Sequence, residues 1–112
     1  MTDESSFSSD WNKNRRKYKR RAMRLFKKLK MGSYFESCSY HPCVVISKGI
    51  SYQDIFGGYV DGRSLCDGHE CSCSLMNCAP VPLTEEEALK RVEIWKQSGE
   101  NGLAAYLNSL TN

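Results

Sequence analysis

The stretches Cys38-Ser-Tyr-His-Pro-Cys43 and Cys66-Asp-Gly-His-Glu-Cys71 repeat one pattern, C-x2-H-x-C. A further pair, Cys73 and Cys78, follows the second stretch with C-x4-C spacing. Together these segments contain all six cysteines and both histidines of the chain. Thiolate and imidazole are the ligands that zinc prefers, and four of them complete a tetrahedral site. The sequence therefore predicts that metal ligation organises the middle of the chain.

The cysteines and histidines are numerous enough to complete two four-coordinate metal sites. Which of them would bind which ion stays open. The eight candidate ligands are Cys38, His41, Cys43, Cys66, His69, Cys71, Cys73 and Cys78. In one allocation the four cysteines of the repeated pattern hold one zinc, and the remaining two bind a second zinc with the histidines. In another, His41 or His69 joins a single site and leaves spare thiols, or the histidines are ordinary turn residues. One zinc ion is expected, and a second is an open alternative.

Size and composition indicate one small domain that needs a metal or disulfides to stabilise it. The chain has 112 residues, of which 40% are hydrophobic, against ~45–50% in ordinary globular domains. A core this thin is commonly supplemented by a metal or by disulfides. We expect a small metal-stabilised α+β domain with a basic N-terminal helix, a short β-hairpin, a Cys-rich loop and a C-terminal helical hairpin.

The expected compartment favours metal over disulfides. The first residues are acidic and polar and lack the pattern of a signal peptide. No apolar run approaches the ~18 residues of a membrane span. We therefore expect a cytoplasmic protein, where thiols stay reduced and clustered cysteines bind metal. The alternative, three disulfides, requires an oxidising compartment.

An iron–sulfur cluster is the rival cofactor. The run from Cys66 to His69 resembles part of the CDGSH iron–sulfur signature, which implies a cluster held by cysteines and a histidine. Here the histidine comes earlier than in that signature, and the C-x-C formed by Cys71 and Cys73 lies downstream instead of upstream. No phosphate-binding glycine loop, deaminase zinc pattern or spaced carboxylate pair accompanies it, so we expect no enzyme activity.

The net charge of +3 hides a strong asymmetry along the chain. Residues 1–30 contain eleven basic and three acidic residues, a net charge of +8. Residues 31–112 contain five basic and ten acidic residues, a net charge of −5. An uninterrupted basic block repels itself unless an anionic partner neutralises it. The N-terminal region is therefore the predicted ligand-binding part.

The basic block is predicted to form an amphipathic helix over residues 11–31. Its apolar stripe includes Tyr18, Ala22 and Leu29, and its predicted nucleic-acid contacts are Lys13, Arg15, Arg16, Lys17, Lys19, Arg20, Arg21, Arg24, Lys27 and Lys28. The segment resembles the arginine-rich RNA-binding helices of phage antiterminators, which implies RNA as the favoured ligand. Tyr18 and Trp11 are candidates either for stacking on bases or for the apolar stripe. Nucleic acid is favoured over three alternatives, which are an acidic protein surface, an anionic membrane and the chain's own acidic half.

The remaining chain divides into a tail and two structured parts. Residues 1–10 are predicted to be a disordered tail. Residues 32–83 form the predicted Cys/His metal-binding β module, with a hairpin turning at Lys48-Gly49 and a loop over residues 62–80. Residues 84–112 form the predicted helical hairpin, which begins at a capping box on Thr84 and breaks at Ser98-Gly99.

The predicted function combines these parts. We expect a small non-enzymatic zinc-binding protein that binds nucleic acid, RNA in particular, through the basic helix, with a possible regulatory role. The competing hypothesis is an adaptor or inhibitor that binds a protein machine such as a polymerase or ribosome. In that case Trp95 and Tyr106 of the acidic hairpin would provide the contacts.

Overall fold

A computed structural model describes residues 16–50, 58–76, 78 and 80–111. The elements are α1 (residues 16–28), β1 (Tyr34–Glu36), β2 (Pro42–Gly49), β3 (Tyr59–Ser64), β4 (Glu70–Ser74), β5 (Val81–Leu83) and α2 (Glu85–Leu110). The α+β class is confirmed. The predicted tail and the start of the predicted basic helix, with Trp11, Lys13 and Arg15, lie outside the described residues.

The five strands form one antiparallel sheet in the order β4-β3-β2-β1-β5. Directly opposed residues point to the same face, and successive residues alternate between faces. One face carries Phe35, Cys43, Val45, Val60 and Cys73, all buried. Ala22 and Leu29 of α1 belong to the same buried cluster. Helix α1 therefore covers this face.

Helix α2 covers the opposite face. Glu36 follows Phe35 in β1 and so points away from α1. Its carboxylate accepts a hydrogen bond of 2.7 Å from Nη1 of Arg91, a buried residue of α2. The sheet thus lies between two helices. Its α1 side is buried, whereas Arg63, Glu70 and Ser72 on the opposite side of β3 and β4 are exposed.

A glycine in β3 makes room for the largest core side chain. A Cβ at Gly62 would lie 2.5 Å from Cζ of Phe35 and 3.1 Å from Cβ of Cys43. The Phe35 ring therefore lies directly over the backbone of Gly62, two strands away. Any larger residue here must displace the ring at the centre of the core.

Helix α1 ends three residues earlier than predicted because the chain turns into the sheet. The amide of Gly32, at φ 82°, donates to the Val45 carbonyl at 3.0 Å. The amide of Val45 donates back to the Ser33 carbonyl at 2.8 Å. These bonds to β2 replace further helical ones, and glycine tolerates the positive φ that the turn requires.

Helix α2 folds back on itself at Gly99. Its first turn is capped as predicted, since Oγ1 of Thr84 accepts from the Glu87 amide at 3.1 Å. Gly99 has non-helical angles of φ 69° and ψ −164°. The Tyr106 hydroxyl then donates to Glu87 at 2.7 Å, whereas a straight helix would separate these residues by about 28 Å. The break therefore lies at the predicted Ser98-Gly99 stop and reverses the chain direction.

Two predictions for the β module are wrong. Lys48 and Gly49 do not form a turn, because they continue β2 and pair with Val60 and Tyr59. Residues 62–80 are not one loop, because the end of β3 and all of β4 lie within them. Strands β1 and β5 were not predicted, and the sheet is larger than the expected hairpin.

Candidate metal centre and nucleic-acid interface

The structure brings both histidines together with a carboxylate. Among the described residues, His41, Asp67 and His69 are the group of potential ligands whose donor atoms all lie within 4.8 Å of one another. Oδ1 of Asp67 is 2.5 Å from Nδ1 of His69 and 3.9 Å from Nδ1 of His41. Tetrahedral zinc with N and O ligands at 2.0–2.1 Å separates them by about 3.3–3.4 Å. The 3.9 Å separation is somewhat longer than that value, whereas the 2.5 Å separation is a hydrogen bond that a bound metal would replace.

A tight turn between β3 and β4 positions two of these side chains. Oγ of the buried Ser64 accepts a bond of 3.0 Å from the Cys66 amide, and its carbonyl accepts one of 3.0 Å from the Gly68 amide. Oδ1 of Asp67 accepts from the His69 amide at 3.0 Å. Gly68 has φ 80°, which lets the chain curl around the carboxylate. Asp67 and His69 consequently point toward the loop that carries His41.

His41 is 4% exposed and has fixed partners on both ring nitrogens. Nε2 lies 2.7 Å from Oε1 of Glu100, and Nδ1 lies 2.8 Å from Oγ of Ser64. The same Glu100 oxygen accepts a bond of 2.8 Å from Nε1 of Trp95. A metal-ligating histidine typically donates its other N–H to a carboxylate, which orients the ring. If His41 bound a metal through Nδ1, in place of the Ser64 hydroxyl, Glu100 would provide that arrangement.

The carboxylates of the site are held in their charged form. The backbone N–H of His69, followed by its side chain, lowers the pKa of Asp67. Hydrogen bonds from Trp95 and then His41 lower the pKa of Glu100. An ionised Glu100 cannot donate, so Nε2 of His41 carries the proton between them. The site can hold a metal through three side chains, which leaves one position of a tetrahedron for water or another donor.

Four of the cysteines form two close pairs. Sγ of Cys38 is 3.7 Å from Sγ of Cys73, and Sγ of Cys43 is 3.9 Å from Sγ of Cys71. All six thiols are free, and the remaining two, Cys66 and Cys78, are half-buried and exposed respectively. Burial raises the pKa of both Cys43 and Cys73 to about 12. Which of these thiols bind metal, and with which other ligands, stays a prediction.

Asp67 and Glu100 are the site residues that sequence reasoning missed. Asp67 lies between two predicted ligands in the C-D-G-H turn, so its position in that motif was an available signal. Glu100 is 59 residues from His41 in sequence and reaches it only because α2 reverses at Gly99. No pattern in the sequence near His41 or Glu100 predicts this contact.

The cations of α1, together with Lys30 just after it, form an exposed surface. This basic surface consists of Arg16, Lys17, Lys19, Arg20, Arg21, Arg24, Lys27, Lys28 and Lys30, all exposed. Within the part of the chain that the structure describes, none of the ion pairs involves a member of it. Arg16, Lys19, Arg20 and Arg24 line an open groove around Met23. Since Ala22 and Leu29 are buried in the core, the basic surface faces outward.

The aromatic candidates occupy different environments. Tyr18 is 41% exposed and lies under the Arg21 guanidinium, whose carbon is 5.2 Å from the ring centroid. It is therefore not part of the core stripe. Trp95 and Tyr106 are half-buried and bonded to Glu100 and Glu87. Their predicted role in binding a protein partner stays a prediction.

Comparisons with protein-family models, with curated proteins and with solved structures found no match to this chain. Neither described helix has the combination of length and apolar character that crossing a membrane requires.

Proposed function

We propose that this chain is a small non-enzymatic zinc-binding protein that binds RNA through the basic surface. The observation that supports the proposal most strongly is the charge of α1. Nine exposed cations follow one another over residues 16–30, and no described carboxylate lies within ion-pair distance of them. RNA phosphates would neutralise that charge and release counterions on binding.

The packing of α1 supports a ligand on its outer side. The apolar residues Ala22 and Leu29 hold the helix on the sheet, so its cations are presented by a fixed scaffold. Tyr18 remains exposed beside them and can stack on an unpaired base. Unpaired, splayed bases are typical of RNA loops and bulges, and this favours RNA over duplex DNA.

In this proposal zinc would stabilise the fold by linking separate segments of the chain. His41 precedes β2, Asp67 and His69 lie in the β3–β4 turn, and Glu100 begins the second half of α2. An ion on the first three residues ties the turn to β2 and, through Glu100, to α2. Such a link stabilises a small domain by ordering segments that are far apart in sequence.

The RNA proposal is tested by a charge-matched pair of double variants. Arg20→Gln/Arg24→Gln removes two members of the basic surface, and Arg63→Gln/Lys96→Gln removes two exposed cations elsewhere. Fluorescence anisotropy with a labelled RNA hairpin measures affinity over a series of KCl concentrations. The slope of log K against log[salt] is expected to shrink by about 1.4–1.8 in the first variant, at ~0.7–0.9 per lost phosphate contact. Equal effects in both variants would refute the proposed surface.

The zinc proposal is tested by metal content. Protein purified without added metal or chelator is expected to contain zinc by elemental analysis, and His69→Ala is expected to lose one equivalent. Glu70→Gln changes the exposed neighbour of His69 and serves as the control. Unchanged zinc content in His69→Ala, or iron in place of zinc, would contradict the assignment.

A further inference from the structure

Four cysteines converge on the sheet face that α1 covers. Cys71 and Cys73 are alternate residues of β4 and point to the same side, opposite Gly62 and Val60. Cys43 lies on that same side in β2. Cys38 reaches the cluster from the loop after β1, where its sulfur contacts that of Cys73.

The sulfur spacing matches zinc ligation. Two thiolates at about 2.3 Å from a tetrahedral zinc are about 3.8 Å apart. The two pairs measure 3.7 Å for Cys38 and Cys73 and 3.9 Å for Cys43 and Cys71. No three of these sulfurs yet lie within 4.8 Å of one another. Cys71 and Cys73 neighbour each other on one strand face. A single ion on all four sulfurs would require their χ1 angles to rotate and bring the two pairs together.

A disulfide does not account for the pair formed by Cys43 and Cys71. These residues belong to β2 and β4, which are separated by β3. Next-nearest strands are about 9.6 Å apart, whereas a disulfide joins Cα atoms about 4.4–6.8 Å apart. Gly62 pairs with Cys71, and a Cβ at Gly62 would lie 3.1 Å from Cβ of Cys43. An ion can bridge thiols whose backbones are too distant for a direct bond.

We propose that Cys38, Cys43, Cys71 and Cys73 form a second zinc site that shares no ligand with His41, Asp67 and His69. Binding converts four thiols to thiolates and releases four protons to solvent. The complex then carries a net charge of −2. Cations of α1 lie on the same side of the sheet, where Nη2 of Arg21 donates to the carbonyl of Met76, just beyond β4.

Alkylation of the full-length wild-type protein tests the second site without any substitution. Cys38 and Cys78 are both exposed, but only Cys38 belongs to the proposed site. With zinc bound, iodoacetamide is expected to label Cys78 much faster than Cys38. A chelator is expected to remove this difference, as followed by peptide mass spectrometry. Equal labelling with zinc present would overturn the proposal, and so would a Cys38–Cys73 disulfide in protein that had been fully reduced and loaded with zinc.

Cobalt substitution separates the two sites. The wild-type protein is expected to bind two Co²⁺ and to show thiolate-to-cobalt charge transfer. Cys38→Ser/Cys71→Ser is expected to lose that band and one equivalent, whereas Cys66→Ser/Cys78→Ser is expected to retain both. His69→Ala should lose one equivalent and keep the band, so failure of the first site is distinguishable from failure of the second. A band retained in Cys38→Ser/Cys71→Ser would refute the thiolate site.

Discussion

Replacing Glu100 by Ala is expected to weaken zinc binding at His41, although Glu100 is not proposed as a ligand. Oε1 of Glu100 lies 2.7 Å from Nε2 of His41 and 2.8 Å from Nε1 of Trp95. Loss of such an outer carboxylate typically lowers metal affinity 10- to 100-fold. That range corresponds to about 1.4–2.7 kcal/mol. The ring would also lose the interaction that keeps the proton on Nε2 and leaves Nδ1 as the ligand.

The two histidines provide an assay for this site alone. No other residue of the chain has an imidazole, so NMR signals of His41 and His69 report the occupancy of this site even if thiols bind zinc elsewhere. Titration against a competing chelator gives the affinity. Glu93→Ala, an exposed change on the same helix, is the control. If Glu100→Ala and Glu93→Ala have equal affinities, Glu100 does not support the metal ligand.

Two further predictions concern the scaffold. Gly62→Ala places a methyl group 2.5 Å from the Phe35 ring. The substitution is expected to lower the free energy of unfolding by about 1–3 kcal/mol, as measured by urea denaturation. An unchanged denaturation midpoint would contradict the described packing. The Tyr106 hydroxyl and then Arg91 lower the pKa of Glu87 below its ordinary 4.5. The associated stability is present above that value and lost as the pH falls through the folded-state pKa. Glu87→Gln should therefore flatten the dependence of unfolding free energy on pH below about 5, and an unaltered acid profile would exclude this contribution.

Local signals in the sequence were sufficient for the helices. Thr84 caps α2 because its hydroxyl is followed at the right spacing by Glu87, and Gly99 breaks α2 because it adopts a conformation that other residues avoid. The outward basic surface likewise follows from the spacing of Ala22 and Leu29. Each of these features depends on residues within a few positions of one another.

The strands depended on long-range pairing and were harder to predict. The three-residue strands β1 and β5 exist because they pair with each other and β1 pairs with β2. In β4 the alternation of buried Cys73 with exposed Ser72 is a strand pattern, but the cysteines had been interpreted only as ligands. The Phe35 ring packs on the backbone of Gly62, two strands away. The sequence near either residue gives no sign of this contact.

The candidate site was predictable in part. The repeated C-x2-H-x-C pattern left open whether His41 and His69 share a site, and the structure places their ring centroids 5.1 Å apart. The division between an imidazole–carboxylate group and two thiol pairs was not predictable. It depends on which face of the sheet each side chain occupies, and a one-residue shift in register would exchange those faces.

The central claim is that the basic surface of α1 binds RNA phosphates, and the salt dependence of RNA affinity tests it most directly. If six of the cations contact phosphates, the slope of log K against log[salt] should be about −4.2 to −5.4. Affinity for an RNA hairpin should then fall about 300- to 2,000-fold between about 50 and 200 mM KCl. A slope near zero, or no binding at the lower salt concentration, would contradict the account.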